Sequence, residues 1–461
     1  MAASQRRTGQ PNEDLSRLIE ASGASHKALA HRVNQLTRRA GAGDGKYTHT
    51  SVANWARRGM TPRPPVPSLL AVALGERLGR PVSLAEIGMN HLHEPTGQMG
   101  LDFARDPADA VRVATTFWSN VDRRDFLGTS FSISAFTTPV TRWLVRPADP
   151  GVAARGNRRV GRRDVEELWE AADEARRWDS KYGGGSWKAN SVTGCLKHRA
   201  APLLNCSFTD QIGRELFSVT SELSRITGWS AFDVGQHDAA QRHFIQALRL
   251  ARAGGNVELG SYVLTTMALQ TLLRGYTSEA IDMTQGAFER AKDVAAPRVL
   301  AFTKLIEARA HGRAGDSRAV AAALSASETL LGRARTDREP AWIGYFDHPR
   351  MSADATEIYR DLHNPKAALR WNAQAAAMSP GTFTRSVGLR MTVVAMTHLQ
   401  ARDLDQGLEL GNQAVDILAR VQSARAVDYV RDFTTALAPW HGETRVADFI
   451  HRTRTELAMA G

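Results

Sequence analysis

The stretch Gly228-Trp-Ser-Ala-Phe-Asp-Val-Gly-Gln-His-Asp-Ala-Ala-Gln-Arg-His-Phe-Ile-Gln-Ala-Leu-Arg-Leu-Ala251 decides the fold. Up to Gly235, Leu223, Ile226, Trp229 and Phe232 recur at helical spacing. After it, Ala240, Phe244, Ala247, Leu248 and Ala251 do the same. A glycine between two such patterns ends one helix and lets the next begin. The same break returns at Gly275-Tyr-Thr-Ser-Glu-Ala and at Gly315-Asp-Ser-Arg-Ala-Val, each about 40 residues on. Related breaks lie at Asn364-Pro365-Lys366-Ala367-Ala368, near Asp403-Leu404-Asp405-Gln406-Gly407, and at 442–447. Small residues after each turn allow two helices to approach closely, and larger ones fill the seam between pairs. No such pair buries its apolar face alone, so stacked pairs predict an α-solenoid with a concave surface over residues 164–461.

Outward from the repeats, the charge is uneven. The 461 residues carry a formal net charge of +11. Residues 1–90 hold 13 Lys/Arg against 6 Asp/Glu, whereas residues 201–461 hold 29 against 28. A basic head on a near-neutral body points to a polyanionic partner at that end, most often nucleic acid. Two cysteines exclude a disulfide framework and favour a reducing, cytoplasmic setting. The first 13 residues lack the apolar core of a secretory signal. The most apolar run, Phe126–Val145, contains seven Ser/Thr, Pro139 and Arg142, so it falls short of a membrane span. The internal Asp122-Arg123-Arg124-Asp125-Phe126-Leu127 imitates a twin-arginine export motif, but such signals open a chain.

The head, residues 1–90, reads as short helices. Asn12 caps the first, with Leu15, Leu18 and Ile19 on one face. Ser25 caps the second, and Thr50 or Ser51 the third, which Pro62, Pro64, Pro65 and Pro67 then stop. Ser68 starts a fourth, and Ser83 with Glu86 makes a capping box for a fifth. In the third helix Val52 and Trp55 face inward, while Ser51, Asn54, Arg57 and Arg58 face away beside Thr48, His49 and Thr50. Arg pairs with guanine and Asn with adenine, and hydroxyls at a helix start hold phosphate. Lys46 and Arg63 flank the helix and suit backbone contacts.

These residues carry a resemblance. Ser25-His26-Lys27-Ala28-Leu29-Ala30, Thr50-Ser51-Val52-Ala53-Asn54-Trp55 and Arg57-Arg58-Gly59 are similar to the Xre-type helix-turn-helix family. The resemblance implies that the helix at 50–58 reads the major groove of double-stranded DNA. The chain departs from the family in the longer insertion Gly41–His49. The body resembles tetratricopeptide repeats, with a period of about 40 in place of about 34. The two together are similar to actinobacterial regulators that join an Xre-type head to a tetratricopeptide body. In Gram-positive bacteria such proteins often sense peptides.

Between head and body, residues 91–163 read as a linker and packing segment. It ends in five arginines, Arg155, Arg158, Arg159, Arg162 and Arg163, which read as a solvated loop or a contact to phosphate or an acidic partner. Within the body, Pro340-Ala-Trp342-Ile-Gly-Tyr345-Phe346-Asp347-His348 breaks the period by about nine residues. Its aromatics either pack between repeats or, with Asp347, His348 and Arg350, line a ligand or peptide pocket on the concave face. Trp342, Tyr345, Asp347, His348 and Arg350 are therefore the candidate ligand residues.

No phosphate-binding loop, zinc-protease helix or nucleophile elbow occurs. Gly183-Gly184-Gly185 reads as a helix stop. Cys195, His198 and Cys206 have faintly metal-like spacing but lack a fourth ligand. The expectation is a non-enzyme without metal or cofactor: all-α, with an N-terminal helix-turn-helix bundle and a tetratricopeptide-like α-solenoid. The function expected is that of a DNA-binding transcriptional regulator whose body forms a homodimer and senses a peptide, a small molecule or a partner protein. The alternative is a tetratricopeptide-like interaction scaffold without specific DNA binding.

Overall fold

A computed structural model describes residues 11–39, 46–62, 66–78, 82, 86–89, 99–120, 131–145, 159–185, 187–335, 337–375 and 384–458. Helices account for their regular structure. No strand occurs among the described residues, and Arg159 and Ser207 share one isolated bridge. The chain divides into two compact units, Met1–Met99 and Gly100–Gly461. The described residues between 100 and 163 fall in the second unit.

In the first unit, α1 (Glu13–Ala21), α2 (His26–Arg39), α3 (His49–Arg57) and α4 (Val66–Leu78) enclose Leu15, Leu29, Val33, Val52, Trp55 and Leu70. Asn12 caps α1 by accepting from the Leu15 N–H at 3.1 Å, and Ser25 Oγ accepts from the Ala28 N–H at 3.2 Å ahead of α2. The same Asn12 donates from Nδ2 to the Ile87 carbonyl at 2.9 Å, tying the end of the unit to its beginning. Arg32 of α2 grips Glu76 of α4 through two hydrogen bonds of 2.7 and 2.6 Å.

Three boundaries differ from the sequence expectation. The cap of α3 is Thr48, in extended conformation, and Ser51 is its partner three residues on: its Oγ accepts from the Thr48 N–H at 3.2 Å. Gly59, at φ +58°, ends α3 before any proline is reached. The fourth helix begins at Val66, because proline is tolerated in a first turn. Glu86–Gly88 form a turn, and Ser83, the proposed cap of a fifth helix, lies outside the described residues.

The second unit begins with α5 (Pro107–Asn120), α6 (Ser134–Val145), α7 (Arg162–Tyr182), α8 (Trp187–Cys195) and the short α9 (Ala201–Leu204). Helix pairs follow: α10 (Asp210–Asp233) with α11 (His237–Ala253), α12 (Val257–Leu273) with α13 (Thr277–Ala291), and α14 (Pro297–Ala314) with α15 (Ser317–Leu331). Next come α16 (His348–Asp361) with α17 (Pro365–Gln374), then α18 (Thr384–Gln400) with α19 (Leu404–Leu418). Last are α20 (Ala424–Ala436) and α21 (Thr444–Ala458).

The turn inside each of the five pairs has one design. A residue with positive φ stands just before the cap of the second helix: Gly235 (+82°), Gly275 (+88°), Gly315 (+78°), His363 (+53°) and Arg402 (+65°). Left-handed backbone reverses the chain there, and glycine adopts it without steric cost. Asp316, Asn364 and Asp403 then cap the second helix through their side chains.

The described residues 100–120 and 131–145 cover the outer layer of the first pairs. Trp143 packs against Gly260, where no side chain intervenes, and Leu144 lies over Gly286. Arginines of the outer helices hold this segment by its carbonyls: Arg249 Nε to Ala104 at 2.6 Å and Arg252 Nη1 to Arg142 at 2.7 Å. The apolar run before Val145 thus ends as a packing helix. No helix among the described residues is long and apolar enough to cross a membrane.

Candidate functional site

Each unit presents a candidate site, and the two are described separately. In the first, α3 turns Val52, Trp55 and Ala56 into the core. Tyr47 meets Trp55 edge-on at 5.5 Å. Asn34 clamps the Tyr47 backbone, donating to its carbonyl at 2.8 Å and accepting from its N–H at 3.0 Å. The start of α3 is thereby fixed to α2.

The opposite face of α3 is polar. Lys46, Thr48, His49, Thr50, Arg57 and Arg58 are exposed, and Ser51 and Asn54 are half-buried. Ser51 is committed to the capping box, so its hydroxyl holds the helix start. Arg63 lies outside the described residues, as do 41–45 of the insertion and Arg155 and Arg158 of the basic run. Of that run, Arg163 approaches Glu167 at 3.2 Å on the first turns of α7.

In the second unit the first helix of each pair faces inward. The helices α10, α12, α14, α16 and α18 follow one another, and α7 packs along both α10 and α18. The helices therefore close a ring around a cavity of about 630 Å³. Trp342, Tyr345 and Arg350 line it, as three of the five candidate ligand residues. Trp342 stacks on Tyr262 at 4.7 Å, and the Tyr345 and Tyr262 hydroxyls are 3.1 Å apart. The insertion after α15 is thus both packing element and cavity wall. Asp347 and His348 do not line the cavity; Asp347 caps α16 by accepting from the Arg350 N–H at 2.9 Å, and His348 is the exposed first residue of that helix.

The wall carries buried ion pairs that the sequence reading missed. Arg176 and Arg225 bind Glu222 at 2.6 and 2.7 Å. Burial pushes the Glu222 carboxyl up, but the two guanidinium groups outweigh it and hold it below the usual carboxylate range. Arg309 binds Glu357 at 2.8 Å, and the Tyr429 hydroxyl donates to the same carboxylate at 2.6 Å. Glu357 is held low for the same reason. Buried ion pairs cost desolvation and stabilise little, so a wall built of them calls for a functional account. The only sign of them in the sequence is charge inside apolar helical patterns, such as Arg225 between Leu223 and Ile226.

Residues 15–90 match the family model of the SP15 N-terminal domain. That match spans the helical bundle of the first unit and leaves the body untouched. No curated protein matches the chain.

Among the described residues no group of three or more metal-ligating side chains gathers, and the three residues of the faint metal pattern have other surroundings. Cys206 donates from Sγ to the Pro202 carbonyl at 3.3 Å, His198 is exposed, and burial raises the Cys195 thiol against the opposing pull of Arg199. Gly183 ends α7 with φ +82°, as the triple glycine predicts.

Proposed function

We propose that this chain is a cytoplasmic, sequence-specific DNA-binding transcriptional regulator of the Xre helix-turn-helix type with a ligand-sensing, tetratricopeptide-like body. The observation that carries the reading is the outer face of α3, where Asn54, Arg57 and Arg58 point away from a core made by Val52, Trp55 and Ala56. A short helix with amide and guanidinium groups on its outward face suits the major groove. The basic balance of the first 90 residues supplies the attraction to phosphate.

On this reading the body pairs two chains, and a ligand in the ring alters the separation of their heads. A two-headed dimer reads half-sites about one helical turn, or a multiple, apart. The ligand shifts the balance only through different affinity for the two arrangements.

Selection of bound duplexes from a random pool by the full-length chain tests the proposal. An enriched inverted repeat is the expected result. Binding that is sequence-blind, with a log–log salt slope near zero, supports the scaffold reading instead, since a regulator shows a slope of about −0.9 per neutralised phosphate.

A further inference from the structure

We propose that the ring cavity takes a small organic anion that carries a flat apolar ring system. This rests on reading the body as a ligand sensor and adds the chemical class of the ligand.

The first argument is charge. Nine cationic side chains line the cavity against four carboxylates. Counting Glu222 and Asp233 just behind the wall, the cations remain in excess. Arg225 and Arg309 are neutralised by Glu222 and Glu357. Arg390, among its contacts, donates to the Asn372 side-chain oxygen at 2.9 Å and the Ala375 carbonyl at 3.0 Å. Burial, and then the charge of Arg350, lower its pKa, as expected in a region of positive potential. Arg177 and Lys181, exposed on α7, add two more positive charges to the same rim. Arg425 is mostly buried, and its Nε finds no acceptor among the described residues. An anion entering the ring meets compensation for this excess.

The second argument is the placement of the aromatic wall. In the order of helices round the ring, α12 and α14 stand opposite α7 and α18. Tyr262 of α12, Phe302 of α14 and Trp342 and Tyr345 of the insertion form one cluster, with ring centroids 4.7 to 6.3 Å apart. Arg177, Lys181 and Arg390 belong to α7 and α18. One side of the cavity is therefore aromatic, its Arg225 and Arg309 already paired with Glu222 and Glu357, and the α7–α18 side carries Arg177, Lys181 and Arg390. A molecule that satisfies both has a ring system at one end and a carboxylate, sulfonate or phosphate at the other.

The third argument is size. About 630 Å³ falls within the range of sites for drug-sized ligands. A folded partner does not enter it, and a long peptide exceeds it.

Two fluorescent probes that differ only in charge test the proposal on the full-length chain. 8-Anilinonaphthalene-1-sulfonate carries the anion, and N-phenyl-1-naphthylamine has the same rings without it. The expected result is one saturable sulfonate site per chain, at least tenfold tighter than the neutral probe. Arg177→Gln with Lys181→Gln weakens the sulfonate about tenfold and leaves the neutral probe unchanged. Both residues are exposed, so the variant keeps its melting temperature. Trp342→Ala weakens both probes. Equal affinity for the two probes, several unsaturated sites, or wild-type sulfonate affinity in the double variant overturns the proposal. No DNA is present, so failure here leaves the DNA-binding reading standing, and failure of DNA selection leaves this one standing.

Discussion

Asp233 and Arg385 are 152 residues apart in sequence, yet Arg385 Nη1 donates to Asp233 Oδ2 at 2.7 Å in the buried interior. Asp233 ends α10, and Arg385 begins α18, so this pair joins the first helix pair of the solenoid to the fifth. Ser423 Oγ donates to the other carboxylate oxygen at 3.0 Å, and the Gly184 N–H to the first at 3.0 Å. Arg385 also holds Asp179 of α7 at 2.8 Å. Burial raises the Asp233 carboxyl, and Arg385, Arg425 and the Gly184 amide together bring it below the usual range. Charge closes the ring around the cavity here.

Breaking that clasp is expected to cost more than a surface pair. Asp233→Asn leaves Arg385 and Arg425 partly uncompensated in a buried site, a loss of about 3–5 kcal/mol. Urea denaturation measures it. Because both residues belong to one network, Asp233→Asn with Arg385→Gln loses less than the sum of the single changes. Strict additivity shows that the clasp is not a unit.

The turn residues give a paired prediction. Gly275 has φ +88° and nothing within 4 Å of where a Cβ sits, so Gly275→Ala tests the backbone alone. It is expected to lower stability by about 1 kcal/mol. His363 occupies the same turn position at φ +53°, with a side chain that L-residues seldom place there. His363→Gly is expected to be neutral or stabilising by up to about 1 kcal/mol, the reverse sign at the equivalent turn. Thermal unfolding of the two variants beside the parent settles both signs.

These turns also show how far the sequence could be read. Gly235, Gly275 and Gly315 announce the helix pairs because only a left-handed residue before a cap makes that reversal cheaply. His363 and Arg402 make the same reversal without glycine, and there the signal came from the caps, Asn364-Pro365 and Asp403. The interrupted period marks Trp342 and Tyr345 as either packing or pocket residues, and in the structure they pack on Tyr262 and line the cavity together with Arg350. Asp347 and His348 were not separable from them, because a cap and a ligand residue look alike in a linear pattern. The arginines of the wall were hidden for a different reason. Closure of α7 against α18 joins residues some 200 positions apart, as Asp179 and Arg385 do, and no local spacing encodes it.

His243 gives a pH dependence. It is fully enclosed beside Phe117, ring centroids 4.7 Å apart, and burial pushes its pKa down to about 3. An unfolded histidine titrates near 6.5. Between those values the unfolded chain holds a proton that the folded chain refuses. Stability is complete above about pH 6.5 and falls as the pH drops toward 3, at about 1.4 kcal/mol per unit for one such group. His237, lowered by burial and then by Arg274, acts in the same direction. The depressed carboxylates Glu222, Asp233 and Glu357 add their loss only below the ordinary carboxylate range. Glu258 and Asp432, which burial raises, take up protons in the folded chain and oppose that slope, so the His243 share of denaturation midpoints between pH 6.5 and 5 is read by difference from a variant. His243→Gln, close in size and unable to titrate, is expected to flatten that slope, and an unchanged slope rejects the assignment.

On α3 the proposed DNA contacts divide into three kinds with separable outcomes. On the proposed reading Arg57 and Asn54 meet base edges, so Arg57→Ala is expected to cost about 1–3 kcal/mol and to relax preference at one base position. Lys46 precedes the helix and is exposed, and the same reading gives it a phosphate contact. Lys46→Ala is expected to weaken all sequences alike and to reduce the salt slope by about 1. Ser51 stands beside them in sequence but spends its hydroxyl on the Thr48 N–H. Ser51→Ala is expected to lower the stability of the bundle by about 1 kcal/mol with base preference intact. Binding titrations over a salt series, on the selected duplex and on single-position mismatches, distinguish all three. If Ser51→Ala alters base preference while Arg57→Ala does not, α3 meets the groove by a different face from the one its core residues dictate.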